Sequence, residues 1–172
     1  MNTMTSGLKI LSQTKEAENL FTLFSRRWSV GTLFGVVFTT VVQASSVTIG
    51  ILQKLYAINA DGITSISLNG ALPVLLGANI GTTITAILSS IGGNTESKRA
   101  SVLHLIFNII NTVFFLVLLA PFIKVVAWFE MKFLKPYSML TIAFAHIFQK
   151  TVMAAILFFL YSATCKIIWI FC

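Results

Sequence analysis

Three long stretches of this chain contain no charged residue, and they constrain its fold more than any other feature. They cover residues 28–53, 62–95 and 100–123. Each is longer than the roughly 20 apolar residues that a helix needs to cross a bilayer. The chain is therefore expected to be an integral membrane protein.

Composition supports the same conclusion. Hydrophobic residues make up 56% of the 172 residues and charged residues 10%, whereas soluble domains contain about 25% charged residues. The net charge of +7 comes from Lys and Arg that flank apolar segments, which is typical of residues beside a lipid surface. We therefore expect the lipid bilayer as a partner and no nucleic acid.

Two regions follow from the pattern. Residues 1–28 are predicted to form an interfacial amphipathic N-terminal helix, although a soluble connector helix is also compatible with the pattern. Residues 29–172 are predicted to form a membrane domain. Its apolar segments are 29–58, 62–91, 100–123 and 138–171. The chain is thus expected to lie in the cell membrane as a multi-pass protein.

Four polar residues interrupt the first apolar segment at QASSVT, residues 43–48. A polar side chain in hydrocarbon costs free energy unless it finds a partner. Two interpretations stay open: contacts that join neighbouring helices, or a turn at membrane depth that coordinates a ligand. Serine and threonine hydroxyls suit sodium as oxygen ligands and suit oxyanions as donors.

Length does not decide between two shapes for this segment. The arms Gly31–Val42 and Val47–Ile58 would each reach roughly 18 Å as helices, short of a core of about 30 Å. A re-entrant hairpin with its tip at 43–46 fits these lengths. A single spanning helix through 30–52 fits the apolar pattern too.

A second polar cluster, GANIGTTIT, occupies residues 77–85. Gly77 and Gly81 flank Asn79, and each glycine destabilises a helix by roughly 1 kcal/mol relative to alanine. This pattern favours a broken helix whose free backbone groups bind ions. The alternative is a Gly-xxx-Gly packing face.

The third apolar segment contains HLIFNIINT, residues 104–112. His104, Asn108 and Asn111 share one face of a helix at this spacing. They are more consistent with hydrogen-bonded structural groups than with a proton relay. The chain contains no nucleophile elbow, zinc spacing or complete phosphate loop, so we do not expect an enzyme.

The order of three motifs resembles the type II sodium–phosphate cotransporter family in its bacterial branch. The motifs are QASSVTIGILQ at 43–53, ALPVLLGANIGTTITAIL at 71–88 and KRASVLHLIFNIINT at 98–112. Ala44 stands where the family motif has its first serine. The resemblance covers about residues 29–123 and continues more faintly through 142–146.

The resemblance implies an all-α integral membrane fold. Its parts are a re-entrant hairpin and a discontinuous helix followed by transmembrane helices, together one half of an inverted-repeat transporter with a divergent C-terminal tail. The implied function is sodium-dependent phosphate symport, with sodium as the coupling ion and no cofactor. The alternative is a non-transporting membrane remnant or assembly partner. Since the family has two repeats, a homodimer or a separate first-repeat chain would complete the site.

Site residues follow from the resemblance, motif by motif. The phosphate-binding residues would be Gln43, Ser45, Ser46 and Asn79. The sodium-binding residues would be Gln43, Ser46, Thr82, Thr83 and Thr85. No catalytic residue and no other metal site is expected.

Overall fold

The computed structural model describes residues 15–57, 65–134 and 138–159, and every regular element in these ranges is an α-helix. The helices, in chain order, are α1 (Lys15–Phe24), α2 (Trp28–Val42), α3 (Ser45–Tyr56), α4 (Leu68–Ser90), α5 (Thr95–Val117), α6 (Leu119–Phe133) and α7 (Met139–Phe159). The predicted all-α fold is confirmed for this part of the chain. Residues 1–14, the turn at 61–62 and the tail 160–172 lie outside it.

Within the described ranges, three helices are long and apolar enough to cross a membrane, namely α4, α5 and residues 139–158 of α7. Helix α2 is also apolar but shorter. Asn94 caps α5, because its side chain accepts a 2.9 Å hydrogen bond from the Ser97 amide. The helix ends at Val117, short of the predicted segment end at residue 123, and α6 begins at Leu119 after a bend at Leu118.

The first apolar segment is not one helix. Helix α2 ends at Val42, and Gln43 takes the left-handed conformation with φ of 55°. Ala44 is extended, and α3 begins at Ser45. The alternative of a single spanning helix through 30–52 is therefore wrong, since the chain turns at 43–44. How deep the resulting hairpin lies in a bilayer stays a prediction.

The second apolar segment is continuous where a break was predicted. Helix α4 runs without interruption through residues 77–85, so the expected discontinuous helix is wrong. The glycines serve close packing against α2. A Cβ on Gly77 would stand 2.0 Å from the Thr32 carbonyl oxygen, and one on Gly35 would stand 2.2 Å from the Val74 carbonyl oxygen. The Gly-xxx-Gly alternative explains this segment.

The core lies where the hairpin meets α4 and the later helices. Leu52, Leu72, Leu75 and Ile142 are fully buried there. Helix α1 joins this core through Phe21, whose ring packs edge-on against Phe34 and Phe38 at 4.9 and 5.0 Å between centroids. The predicted interfacial position of this helix stays a prediction.

Candidate functional site

The hairpin tip presents polar groups because of how its backbone turns. Gln43 donates its amide to the Thr39 carbonyl at 2.8 Å, so α2 closes normally even though Gln43 is left-handed. The first amides of α3 then point out at Ser45 and Ser46, as at any helix N-terminus. The side chains of Gln43 and Ser46 are exposed and Ser45 is half-buried. The tip therefore combines hydroxyls, an amide side chain and a helix N-terminus.

Below the tip, one side-chain hydrogen bond joins the two arms. The hydroxyl oxygens of Thr39 and Thr48 lie 2.8 Å apart, and both residues are fully buried. Sequence reasoning noted Thr48 but missed Thr39. The available signal was its position four residues after Gly35, on the face of α2 that packs against α4.

Helices α2 and α4 pack in parallel, which fixes the level of the tip along α4. Gly35 lies against Val74 and Ala78, and Gly81 lies against Thr39. The numbering therefore increases in the same direction along both helices, offset by about 42 residues at these contacts. Continuing the same register beyond Thr39 brings Gln43 level with Thr85.

The predicted residues of α4 do not share one face. At about 100° per residue, Thr85 lies on the stripe of Gly77 and Gly81, which turns toward α2. Asn79 and Thr83 lie on the opposite stripe, with residues that bond to α5. These α5 contacts are the Leu76 carbonyl, which accepts from Thr112 at 3.0 Å, and the Ser90 hydroxyl, which bonds Ser101 at 3.0 Å. Thr82 lies between the two stripes.

The structure thus brings the hairpin tip and Thr85 to one level on one side of α4. It turns Asn79 and Thr83 to the α5 side. Asn79 and Thr83 therefore face nearly the opposite direction from Thr85, although all three belong to the same sequence motif. Periodicity would have found this division if α4 had been taken as unbroken.

Hydrogen bonding shows what each group of α4 can still offer. The hydroxyls of Thr82, Thr83 and Thr85 donate to the carbonyls of Ala78, Ile80 and Thr82 at 2.7–2.8 Å. Their protons are used within the helix, but their oxygen lone pairs can still bind a cation. Asn79 is 5% exposed, and its Nδ2 has no hydrogen-bond partner among the described residues.

The charged residues of the hairpin itself lie at its ends, far from the tip. No charged residue occurs between Arg27 and Lys54, and none occurs within α4. An anion at the tip would therefore be held by neutral donors, by the α3 N-terminus and by any cation bound beside it. This arrangement suits the joint binding of an anion and a cation.

The comparison with protein families identifies the family to which these motifs belong. The family model described as Na+/Pi-cotransporter matches residues 1–159. The chain belongs to the Na+/Pi-cotransporter family. This confirms the resemblance drawn from the three motifs, and the match includes the hairpin and helices α4 to α7. The family is one of membrane transporters.

Individual relatives cover parts of the chain. The uncharacterized protein YqeW of Bacillus subtilis (strain 168) is 34% identical over 113 residues, which are 66% of this chain and 34% of that protein. Sodium-dependent phosphate transport protein 2B of Rattus norvegicus is 42% identical over 81 residues, 45% of this chain and 11% of the rat protein. Protein 2A of Oryctolagus cuniculus is 38% identical over 79 residues, 44% of this chain and 12% of the rabbit protein.

The chain therefore spans about a third of the bacterial relative and about a ninth of the mammalian ones. No solved structure gives a significant match to this chain. What it shares with these relatives is the family and the aligned stretches.

Proposed function

We propose that this chain forms one repeat of a sodium-dependent phosphate symporter of the cell membrane. The observation that carries the proposal is the turn at Gln43–Ala44, which presents the α3 N-terminus and the serines of the family motif at one tip. Two mammalian relatives are named for sodium-dependent phosphate transport. The coupling of the two ions follows from the chemistry of this tip.

Phosphate binding is assigned to donors at the tip and to one amide on α4. Gln43, Ser45 and Ser46 offer side-chain donors beside the helix N-terminus, where partial positive charge favours an anion. Asn79 contributes its buried Nδ2, which needs an acceptor. Since Asn79 faces α5, it would act from the far side of α4 or after a rearrangement of that helix.

Sodium binding is assigned to oxygen atoms, and Thr85 is its strongest candidate. Its hydroxyl proton is already donated to the Thr82 carbonyl oxygen, so the lone pairs of the hydroxyl oxygen are what it can offer to a ligand. Thr82, Ser46 and the Gln43 side-chain oxygen complete the proposed set on this side of α4. Thr83 faces α5, so it would join the set only after a rearrangement of that helix. A bound sodium ion would offset part of the charge of the phosphate in a region without lysine or arginine.

The hairpin is proposed to be re-entrant. Helices α2 and α3 contain 15 and 12 residues, which correspond to about 22 Å and 18 Å. Both lengths fall short of a core of about 30 Å. The tip would then lie inside the membrane, where binding sites of inverted-repeat transporters are built.

A second repeat is required to complete this site. We propose that it comes from a second copy of this chain in a homodimer or from a separate first-repeat chain, related to it by inverted topology. Without such a partner the chain would be a membrane assembly partner that does not transport.

The test is uptake of ³²P-phosphate into proteoliposomes under an inward sodium gradient. Uptake should depend on sodium and should fall at least about tenfold in Ser46→Ala and Thr85→Ala, since each removes an oxygen ligand. Ser89→Ala and Thr151→Ala are matched controls at exposed positions and should transport normally. Uptake that is unchanged when choline replaces sodium would rule out the symport mechanism.

A further inference from the structure

Lys150 places a cationic side chain near the middle of α7, a helix long and apolar enough to span a membrane. A charged side chain at the centre of a spanning helix costs free energy, and it usually pairs with another polar group or serves a function. No aspartate or glutamate follows Glu130 in the sequence, and α4 contains none. The helices around Lys150 therefore supply no obvious counter-charge.

The contacts of Lys150 are neutral. Its Nζ donates to Asn108 Oδ1 at 2.6 Å and lies 5.7 Å from the centre of the Phe107 ring. Asn108 is fully buried, and its Nδ2 donates to the His104 carbonyl at 2.8 Å. Both ends of this amide are thus committed, which fixes the ammonium beside α5. An ammonium has three donors, so the asparagine oxygen satisfies one of them.

The described carboxyl groups are occupied elsewhere. Glu96 accepts from Arg99 at 2.8 Å near the start of α5. Glu130 accepts from Tyr56 and Thr141 at 2.7 and 3.0 Å. Neither bonds to Lys150 in the described part of the chain.

Two histidines share helix faces with this hydrogen-bonded pair, Asn108 and Lys150. His104 precedes Asn108 by four residues on α5, and His146 precedes Lys150 by four residues on α7. Residues at this spacing share a helix face. His104 lies one helical turn before Asn108, which Lys150 bonds at 2.6 Å, and His146 lies one turn before Lys150 itself, so the three nitrogen-bearing side chains occupy neighbouring turns of α5 and α7. His104 is exposed, and His146 and Lys150 are partly exposed, on the outer surface of the described helices.

The stripes also carry buried amides that lack partners. Asn111 follows Asn108 by three residues, and Gln149 follows His146 by three. Both are fully buried, and neither amide nitrogen nor amide oxygen has a hydrogen-bond partner among the described residues. Buried polar groups in native proteins are nearly always bonded to protein, water or a ligand. The α5–α7 interface thus has more polar groups than its own contacts satisfy.

We propose that the face formed by His104, His146 and Lys150 binds a small inorganic oxyanion such as phosphate or sulfate. An oxyanion accepts hydrogen bonds from several directions, which matches donors contributed by two helices. A cation would be repelled by the ammonium. The proposed site shares no residue with the hairpin tip, and it contains no oxygen cluster that would require sodium.

Binding of ³²P-phosphate to the purified chain in detergent, in choline gluconate without sodium, tests the proposal. The wild-type chain should bind phosphate, and unlabelled sulfate should compete. Lys150→Met keeps a long unbranched side chain and removes its charge, so affinity should fall about tenfold or more. Lys150→Arg should retain binding because it restores a cationic donor.

Two controls separate this site from the proposed transport function. Lys132→Met removes an exposed lysine that lies over the Trp128 ring, and it should leave binding unchanged. Gln43→Ala should abolish sodium-dependent uptake while leaving this sodium-independent binding intact. If Lys150→Met fails to fold, the double variant His104→Gln, His146→Gln decides the question by the same loss of affinity.

Three outcomes would overturn the proposal. The first is wild-type chain that binds no phosphate without sodium, as expected if Lys150 pairs with a carboxylate of another membrane segment. The second is unchanged affinity in a folded Lys150→Met. The third is binding that disappears in Gln43→Ala, which would assign it to the hairpin instead.

Discussion

The hydroxyl oxygens of Thr39 and Thr48 lie 2.8 Å apart and join the two arms of the hairpin just below its tip. Both side chains are fully buried, so each hydroxyl depends on the other for a partner in an apolar setting. A buried polar group that loses its partner costs about 1–3 kcal/mol. The bond therefore holds α2 and α3 at the spacing that sets the width of the tip.

Thr48→Val is expected to lower stability by about 1–3 kcal/mol, because it leaves the Thr39 hydroxyl buried without this partner. Unfolding in mixed micelles, followed by circular dichroism, measures the change. The double variant Thr39→Val, Thr48→Val should cost less than the sum of the two single changes, since both polar groups are then gone. Strictly additive effects would contradict a direct bond.

Gly77→Ala is expected to destabilise the chain by about 1–3 kcal/mol or more, because its Cβ would overlap the backbone of α2. The nearest atom, the Thr32 carbonyl oxygen, would stand 2.0 Å away. The chain provides a matched control in Gly92→Ala, since nothing lies within 4 Å of a Cβ at that position. The melting temperatures of the two variants in detergent should differ clearly. Equal melting temperatures would contradict the packing of α2 on α4.

Gly77 also shows where sequence reasoning reached its limit. The spacing of Gly77 and Gly81 fits both a broken helix and a packing face, because both need small residues, and the polar residues around Asn79 favoured the broken helix. Only the position of α2 decides, and α2 approaches through Gly35, which is 42 residues earlier in the chain. Sequence periodicity carries no information on which distant helix comes that close.

The turn at residue 43 could not be predicted from the sequence for a related reason. QASSVT contains no strong helix breaker, so local propensity permitted both a helix through the motif and a hairpin. The structure places Gln43 in the left-handed conformation, which costs a non-glycine residue free energy. Tertiary packing of both arms on α4 overrides that local cost. By contrast, the all-α class and the long apolar helices followed directly from charge spacing and hydropathy.

Tyr56→Phe is expected to lower stability by about 1–3 kcal/mol, because it removes the 2.7 Å hydrogen bond from the Tyr56 hydroxyl to Glu130 Oε2. Both residues are buried, and the bond connects the end of the hairpin to α6. Unfolding in mixed micelles measures the loss. Glu96→Gln changes an exposed ion pair instead and should alter stability by less than about 1 kcal/mol. A Tyr56→Phe variant as stable as Glu96→Gln would show that the connection contributes nothing.

Gln43→Gly is expected to separate the backbone role of this position from its side-chain role. Glycine adopts φ of 55° without the steric penalty of a Cβ, so the variant should be more stable than wild type by about 1 kcal/mol. It should nevertheless lose sodium-dependent phosphate uptake, because the side chain proposed to contact both ions is gone. Strained conformations persist where function requires the side chain.

The matched comparison for this prediction is Gln43→Ala, which removes the same side-chain amide but keeps the Cβ. Both variants should lose uptake in proteoliposomes to a similar extent, whereas only Gln43→Gly should raise the melting temperature in detergent. Normal uptake by Gln43→Gly would mean that the left-handed turn alone is what the site needs. Equal stability of the two variants would instead contradict a left-handed conformation at residue 43, since the Cβ penalty exists only there.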